Sequence, residues 1–255
     1  MNRIWLAGLG ALALTAAGAA PGRAADQTTI IALVSAVGNA AMREVAAMYE
    51  RVHPDVHVQI VPGGAAVLVA QVEAGSGGDL ITGGPEALAP LVTHHKIGSG
   101  VGIFSFHEVV LVRHGSTKVH SLRDLANPGM RLALGTTNST IAAYSNEVLR
   151  KAAEQYGADF PKKVMANVIV TESTSTEIAA AVRSGLVEAA IGFSSDASDG
   201  VDAINVPAAD DVITVDQVAP VNGSPHADAV AAFSTYLRGP EAQAAFRKHH
   251  LDAPH

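Results

Sequence analysis

The chain has 255 residues, with 17 Lys and Arg against 24 Asp and Glu, a formal charge of −7, and no cysteine. That charge makes nucleic acid and anionic membrane surfaces poor partners. The missing cysteines exclude disulfides, thiolate metal sites and a lipid-modified cysteine behind an export signal. Aromatic residues are only 4% of the chain, and abundant Ala and Val predict helices packed on parallel strands rather than a β-sandwich.

Residues 1–25 read as an export signal. Arg3 supplies the positive start, Ile4 to Ala20 is apolar but short for a membrane span, and the small residues near Ala24 allow cleavage after Ala24 or Ala25. No stop-transfer pattern follows, so the mature chain is expected in a bacterial periplasm, without membrane insertion. Without Arg3 and Arg23, 15 basic residues face 24 acidic ones, a charge of about −9 with neutral histidines. An acidic protein still binds an anion if backbone N–H groups and hydroxyls do the work.

Thr29 to Val34 is a continuous β-branched and apolar run, the mark of a strand buried on both faces. Ala41, Val45, Met48 and Val52 then recur at helical spacing until Pro54, and Val56 to Val61 alternates as a second strand. Pro62 to Gly84 (PGGAAVLVAQVEAGSGGDLITGG) holds a glycine pair, a helix, a Gly-rich turn and a third strand, Asp79 to Thr82. Glycines at a strand-to-helix junction let an anion approach backbone N–H groups at a helix N-terminus, and they serve a tight turn equally well. Pro85 to Val92 is a further helix.

A strand over Val109 to Val112, led in by Phe104 to Glu108, restarts the β-α-β pattern. A short helix from His120 to Leu125, a strand Arg131 to Leu134, a polar loop to Thr140 and a helix Ile141 to Tyr156 follow. Val168 to Thr171 is a strand, a hydroxyl-rich loop leads into a helix from Glu177 to Gly185, and Ala189 to Phe193 is a strand. The tail, Ala227 to His250, reads as two helices split at Gly239-Pro240. This order predicts an α/β protein of two doubly wound lobes, with ligands beyond the carboxyl ends of the strands.

Several residues are candidates for chemistry. Ser35 and Asn39 lie in the first loop, and Ser139, Thr140, Thr174 and Ser175 stand at helix starts, where each equally reads as an N-cap. Among eleven histidines, most lie in turns or near the terminus, and His107-Glu108, beside the expected cleft, is the pair to consider for a metal. No HxH or HExxH spacing accompanies it. No GxSxG elbow, Walker loop or GxGxxG after a strand is present, and no catalytic residue is expected.

The chain resembles the periplasmic solute-binding proteins of ABC importers, specifically the molybdate/tungstate-binding group. The resemblance is carried by AAMREVAAMYERVHPDV, GGAAVLVAQVEAGSGGDLITGG, HEVVLV, LALGTTNSTIAAYSNEVL, EIAAAVRSGLVEAAIGFSSDA and AFSTYLRGPEAQAAFRKHH, in family order over nearly the whole mature chain. It implies a type II periplasmic binding protein, two α/β lobes joined by two crossover strands. By that analogy lobe one is 26–107 plus 205–255, and lobe two 108–204. It implies a monomer without cofactor that delivers a small ligand, a molybdate-class oxyanion first, to an ABC permease. A small organic anion, a metal or metal complex, or an accessory or sensory role on the same fold are the alternatives.

The family holds its oxyanion with a serine after strand one, a serine in the glycine-rich loop, backbone N–H groups of lobe two and a tyrosine hydroxyl. The matching positions here are Val37, Ala65, Ala142, Ser175 and Phe193, with Gly64 beside Ala65 in the glycine-rich loop. Three hydroxyl donors are thus replaced at Val37, Ala65 and Phe193, each roughly a 1–3 kcal/mol matter in a desolvated site. The substitutions predict a more apolar pocket served by backbone donors.

Overall fold

The computed structural model describes residues 27–198 and 200–254. The export signal assigned to residues 1–25 lies outside them. Two lobes share one path of strands. β1 (Thr28–Ser35) pairs in parallel with β2 (Val56–Gly63) and with β3 (Leu80–Gly83). β4 (Val101–Arg113) runs through both lobes. In lobe two, β5 (Leu132–Gly135) lies parallel to β6 (Val168–Glu172) and to β7 (Ala189–Phe193). β8 (Val201–Asn205) pairs with β4, and β9 (Ile213–Pro220) lies antiparallel to β3. The order is β2-β1-β3-β9-β4-β7-β5-β6, with β8 off the path on β4.

β4 is the first crossover. Residues Val101 to His107 pair with β9, whereas Glu108 to Val112 pair with β7. The segment between β8 and β9 is the second. The strand predicted over Val109 to Val112 is therefore only the last third of a 13-residue strand. Polar Ser105, His107 and Glu108 break the apolar run that marks its remainder. β8 and β9 carry no strand expectation from the sequence at all.

Helices cover both faces. α1 (Asn39–Val52), α2 (Ala65–Glu73) and α3 (Pro85–Thr93) follow β1 to β3. α4 (Thr140–Tyr156), α5 (Phe160–Ala166) and α6 (Ser175–Ser184) belong to lobe two. α7 (Ala227–Leu237) and α8 (Pro240–Lys248) return to lobe one. α1 buries Ala41 and Val45 as the helical spacing predicts, but the stripe continues through Met42 and Tyr49 rather than Met48 and Val52, and Val52 is exposed. Phe104, Phe233 and Phe246 are fully buried behind it, each contributing roughly 1.5–3 kcal/mol of apolar burial. Lobe two has a separate cluster around Val110, Leu132, Leu149 and Phe160. No described helix is long and apolar enough to cross a membrane.

Candidate functional site

Each β-strand that ends at the cleft is followed by a helix or 3-10 turn whose first N–H groups have no upstream carbonyl to bond. Four such helix starts converge on one cavity of about 70 Å³. From lobe one come Gly64 and Ala65 at the start of α2 and Gly84 at the start of α3; from lobe two come Thr140 at α4 and Thr174 and Ser175 at α6. A 3-10 turn over Ala36–Gly38 adds Ala36 and Val37 beside Ser35. Each helix start carries partial positive charge, so four pointing at one space favour an anion there.

The two lobes finish their helices differently. Gly64 and Gly84 cap α2 and α3 with extended backbone and no side-chain hydrogen bond. A Cβ at Gly64 would meet nothing within 4 Å, so the loop offers a ligand open space and backbone donors. In lobe two, the Ser139 hydroxyl accepts from the Ala142 N–H at 3.2 Å and donates to the Thr136 carbonyl at 2.8 Å. At Gly135 a Cβ would fall 2.5 Å from Ser139 Oγ, so only glycine lets β5 run into this cap. Thr174 and Glu177 form a reciprocal capping box on α6.

The predicted residues divide accordingly. Ser35, Val37, Gly64, Ala65, Thr140, Thr174, Ser175 and Phe193 line the cavity together. Three do not. Asn39 accepts from the Arg43 guanidinium at 3.0 Å on α1. Ser139 is consumed as a cap, and it occupies the N–H of Ala142 that the resemblance assigned to ligand. His107 and Glu108 also fail to converge, because neighbouring strand residues face opposite ways. His107 sits 4.0 Å from the Asp252 carboxylate. Glu108 is buried, with Oε1 bonded to Ser145 and Oε2 unpaired, and burial holds its carboxyl well above the usual range. No cluster of three or more His, Asp and Glu suited to a metal exists among the described residues.

Besides Ala36 and Gly84, sequence reasoning missed three aromatic or charged side chains. Phe106 and Tyr144 join Phe193 in a wall of rings, with centroids 4.9 Å apart for Phe106–Phe193 and 5.9 Å for Tyr144–Phe193. The Tyr144 hydroxyl, on α4, lines the same cavity as Phe193. It shares a hydrogen bond with Thr214 of β9 and so reaches across the cleft, and burial pushes the phenol's pKa up, which keeps it neutral. The i to i+4 step from Thr140 to Tyr144 was the available signal, since both lie on one helical face.

The third is Asp216, on β9 at the cavity floor. Ser35 Oγ donates to it at 2.6 Å, and Thr82 also bonds it. Burial pushes its carboxyl up to about 7 despite both hydroxyls. Lobe two holds a counterpart: Ser175 Oγ donates to Asp196 at 3.2 Å, the Phe193 N–H donates to its other oxygen, and desolvation lifts it to about 6. Asp196 braces the loop after β7, as its position predicts.

Comparison with solved structures places this architecture. It is similar to the sulfate-binding protein SubI of Mycobacterium tuberculosis H37Rv at 20% identity and a TM-score of 0.78, over 89% of this chain and 87% of that one. It is similar to the periplasmic molybdate-binding protein of Azotobacter vinelandii at 14% identity and a TM-score of 0.75, over 89% and 100%. PEB3 of Campylobacter jejuni with L-phospholactate bound matches at 17% identity and a TM-score of 0.74, over 88% and 100%. No curated protein matches in sequence. The family model for bacterial extracellular solute-binding proteins matches residues 31–252. The chain belongs to that family of bacterial extracellular solute-binding proteins and has the type II periplasmic binding fold.

Proposed function

We propose that the protein is the exported, periplasmic solute-binding component of an ABC importer, and that it closes on a small oxyanion of the molybdate or sulfate class. The convergence of four helix N-termini on one cavity carries this reading. The donors are neutral: among the described residues no lysine or arginine lines the space, so N–H groups, hydroxyls and helix dipoles supply the attraction. A cavity near 70 Å³ has room for an ion of a few heavy atoms. The named ligands of SubI, the Azotobacter protein and PEB3 are all oxyanions, which supports the same class.

Lobe one, 26–107 with 205–255, and lobe two, 108–204, would move as bodies about β4 and the β8–β9 connection. Ligand contacts from both lobes select the closed state. The protein acts as a monomer, without catalysis, and presents its ligand to the permease. A small organic anion is the second reading, favoured by the Phe106–Tyr144–Phe193 wall, which would receive a short carbon skeleton.

Thermal-shift titration of the mature protein tests the ligand class. The panel is sulfate, molybdate, tungstate, small phosphorylated and carboxylic acids, and divalent metals. Stabilisation by one or more of the oxyanions is expected. Response to divalent metals with none to any anion, or no response at all, overturns the reading. Anion-dependent stimulation of the neighbouring permease's ATPase distinguishes an importer from an accessory or sensory protein.

A further inference from the structure

Asp216 is the one carboxylate among the described residues that lines the cavity, and its bare charge opposes the helix starts around it. It is 2% exposed, beneath the ligand space. Ser35 is committed to it: Oγ donates to Oδ2 at 2.6 Å, while the Ser35 N–H donates to Thr82 Oγ1 at 2.9 Å. With its hydrogen spent on Asp216, Ser35 turns only lone pairs to the cavity. That polarity repels an anion. A proton on Asp216 reverses it, because the acid O–H then donates to Ser35 Oγ and the serine hydrogen swings free towards the ligand.

We propose that Asp216 determines the specificity of the cleft by making an anion bind together with one proton, which resides on Asp216 and converts Ser35 from acceptor to donor. The inference rests on the anion reading above. The proton comes from solvent, the carboxylate becomes a carboxylic acid, and the bound pair has one negative charge fewer than an anion beside a carboxylate.

The surroundings of Asp216 allow this. β1 presents the Ser35 hydroxyl, β3 the Thr82 hydroxyl, and β4 the ring of Phe104, Asp216's register partner. Across the cavity α4 presents the Tyr144 phenol, with Glu86 of α3 and Glu108 of β4 near that ring. On α7, which packs on β9, Asp228 is exposed and Tyr236 bonds Glu241. No cation among these groups holds Asp216 ionised, and burial already places its titration at about 7. An anion beside it favours the neutral acid further.

Titration calorimetry of the mature protein with sulfate and molybdate, both fully deprotonated from pH 6 to 9, tests this in buffers of different protonation enthalpy. Uptake close to one proton per anion is expected at pH 8, and Kd should rise about tenfold per pH unit above 7. Asp216→Asn should bind with no uptake and a flat pH profile. If that variant fails to fold, the proton count in the wild-type protein decides alone. Wild-type binding with no proton uptake and constant Kd overturns the inference while leaving the anion site. Uptake that persists in Asp216→Asn puts the proton elsewhere, Asp196 first, and also overturns it. Binding of neither anion by either protein at any pH removes the anion reading and the inference with it.

Discussion

The two walls of the cleft use the same device in different states of completion. Each places a serine over a buried aspartate, Ser35 on Asp216 at 2.6 Å and Ser175 on Asp196 at 3.2 Å. Lobe two satisfies its helix starts internally, with Ser139 on α4 and the Thr174–Glu177 box on α6. Lobe one leaves α2 and α3 capped by glycine, with no side-chain partner. An orphan N–H that a hydroxyl already fills contributes stability; one left open contributes affinity once a ligand arrives. Lobe two is therefore the more finished wall, and lobe one the more open.

The aspartates give the largest effects. Asp216 titrates at about 7 in the native protein and near 3.9 in an unfolded chain. The native state thus holds a proton that the unfolded state has released. Stability falls as pH climbs from about 4 to 7 and then levels. The full cost is on the order of 4 kcal/mol, so Asp216→Asn should unfold at higher urea than wild type at pH 8 and gain nothing at pH 4. Equal pH slopes for both proteins would refute this. Asp196, at about 6, predicts the same sign over a window ending one unit lower, and about 3 kcal/mol. Denaturation of Asp196→Asn between pH 4 and 8 separates the walls by where the slope stops.

Gly64→Asp probes the open wall directly. Space for the side chain exists and Asp is a good N-cap, so the fold should hold while the carboxylate takes the ligand's place. Calorimetry with whichever anion binds wild type should show at least a hundredfold loss, about 2.8 kcal/mol. Retained affinity would mean that α2 does not face the ligand. The smallest effect belongs to the finished wall: Ser139→Ala should cost about 1 kcal/mol of stability in a urea midpoint, at any pH from 5 to 8. Its effect on anion affinity should be minor, because the Ser139 hydroxyl is occupied by Thr136 and Ala142.

Legibility in the sequence followed the range of the interaction. The Thr174 cap and the glycine start of α2 are local, and their residue types mark helix starts in the sequence alone. Ser139 and Asn39 misled for the same local reason, since a polar residue at a helix start is consumed by its own helix as readily as by a ligand. β9 carried no reading from the sequence at all. In Ile213–Pro220 alternation would put Ile213 and Val215 inside and Thr214 and Asp216 in solvent. The fold does the reverse, with Ile213 61% exposed and Asp216 2% exposed.

Most of the order of strands and helices as far as β7, the family and much of the backbone-lined wall were present in the residue pattern, because periodicity, glycine placement and caps act over a few residues. The floor of the cleft was not. Ser35 and Asp216 are 181 positions apart, and they meet only because the chain crosses to lobe two along β4 and returns as β9 between β3 and β4. Burial of Asp216 follows from that return, and burial is what raises its proton affinity, since desolvation acts on a group's final surroundings rather than on its neighbours in the chain.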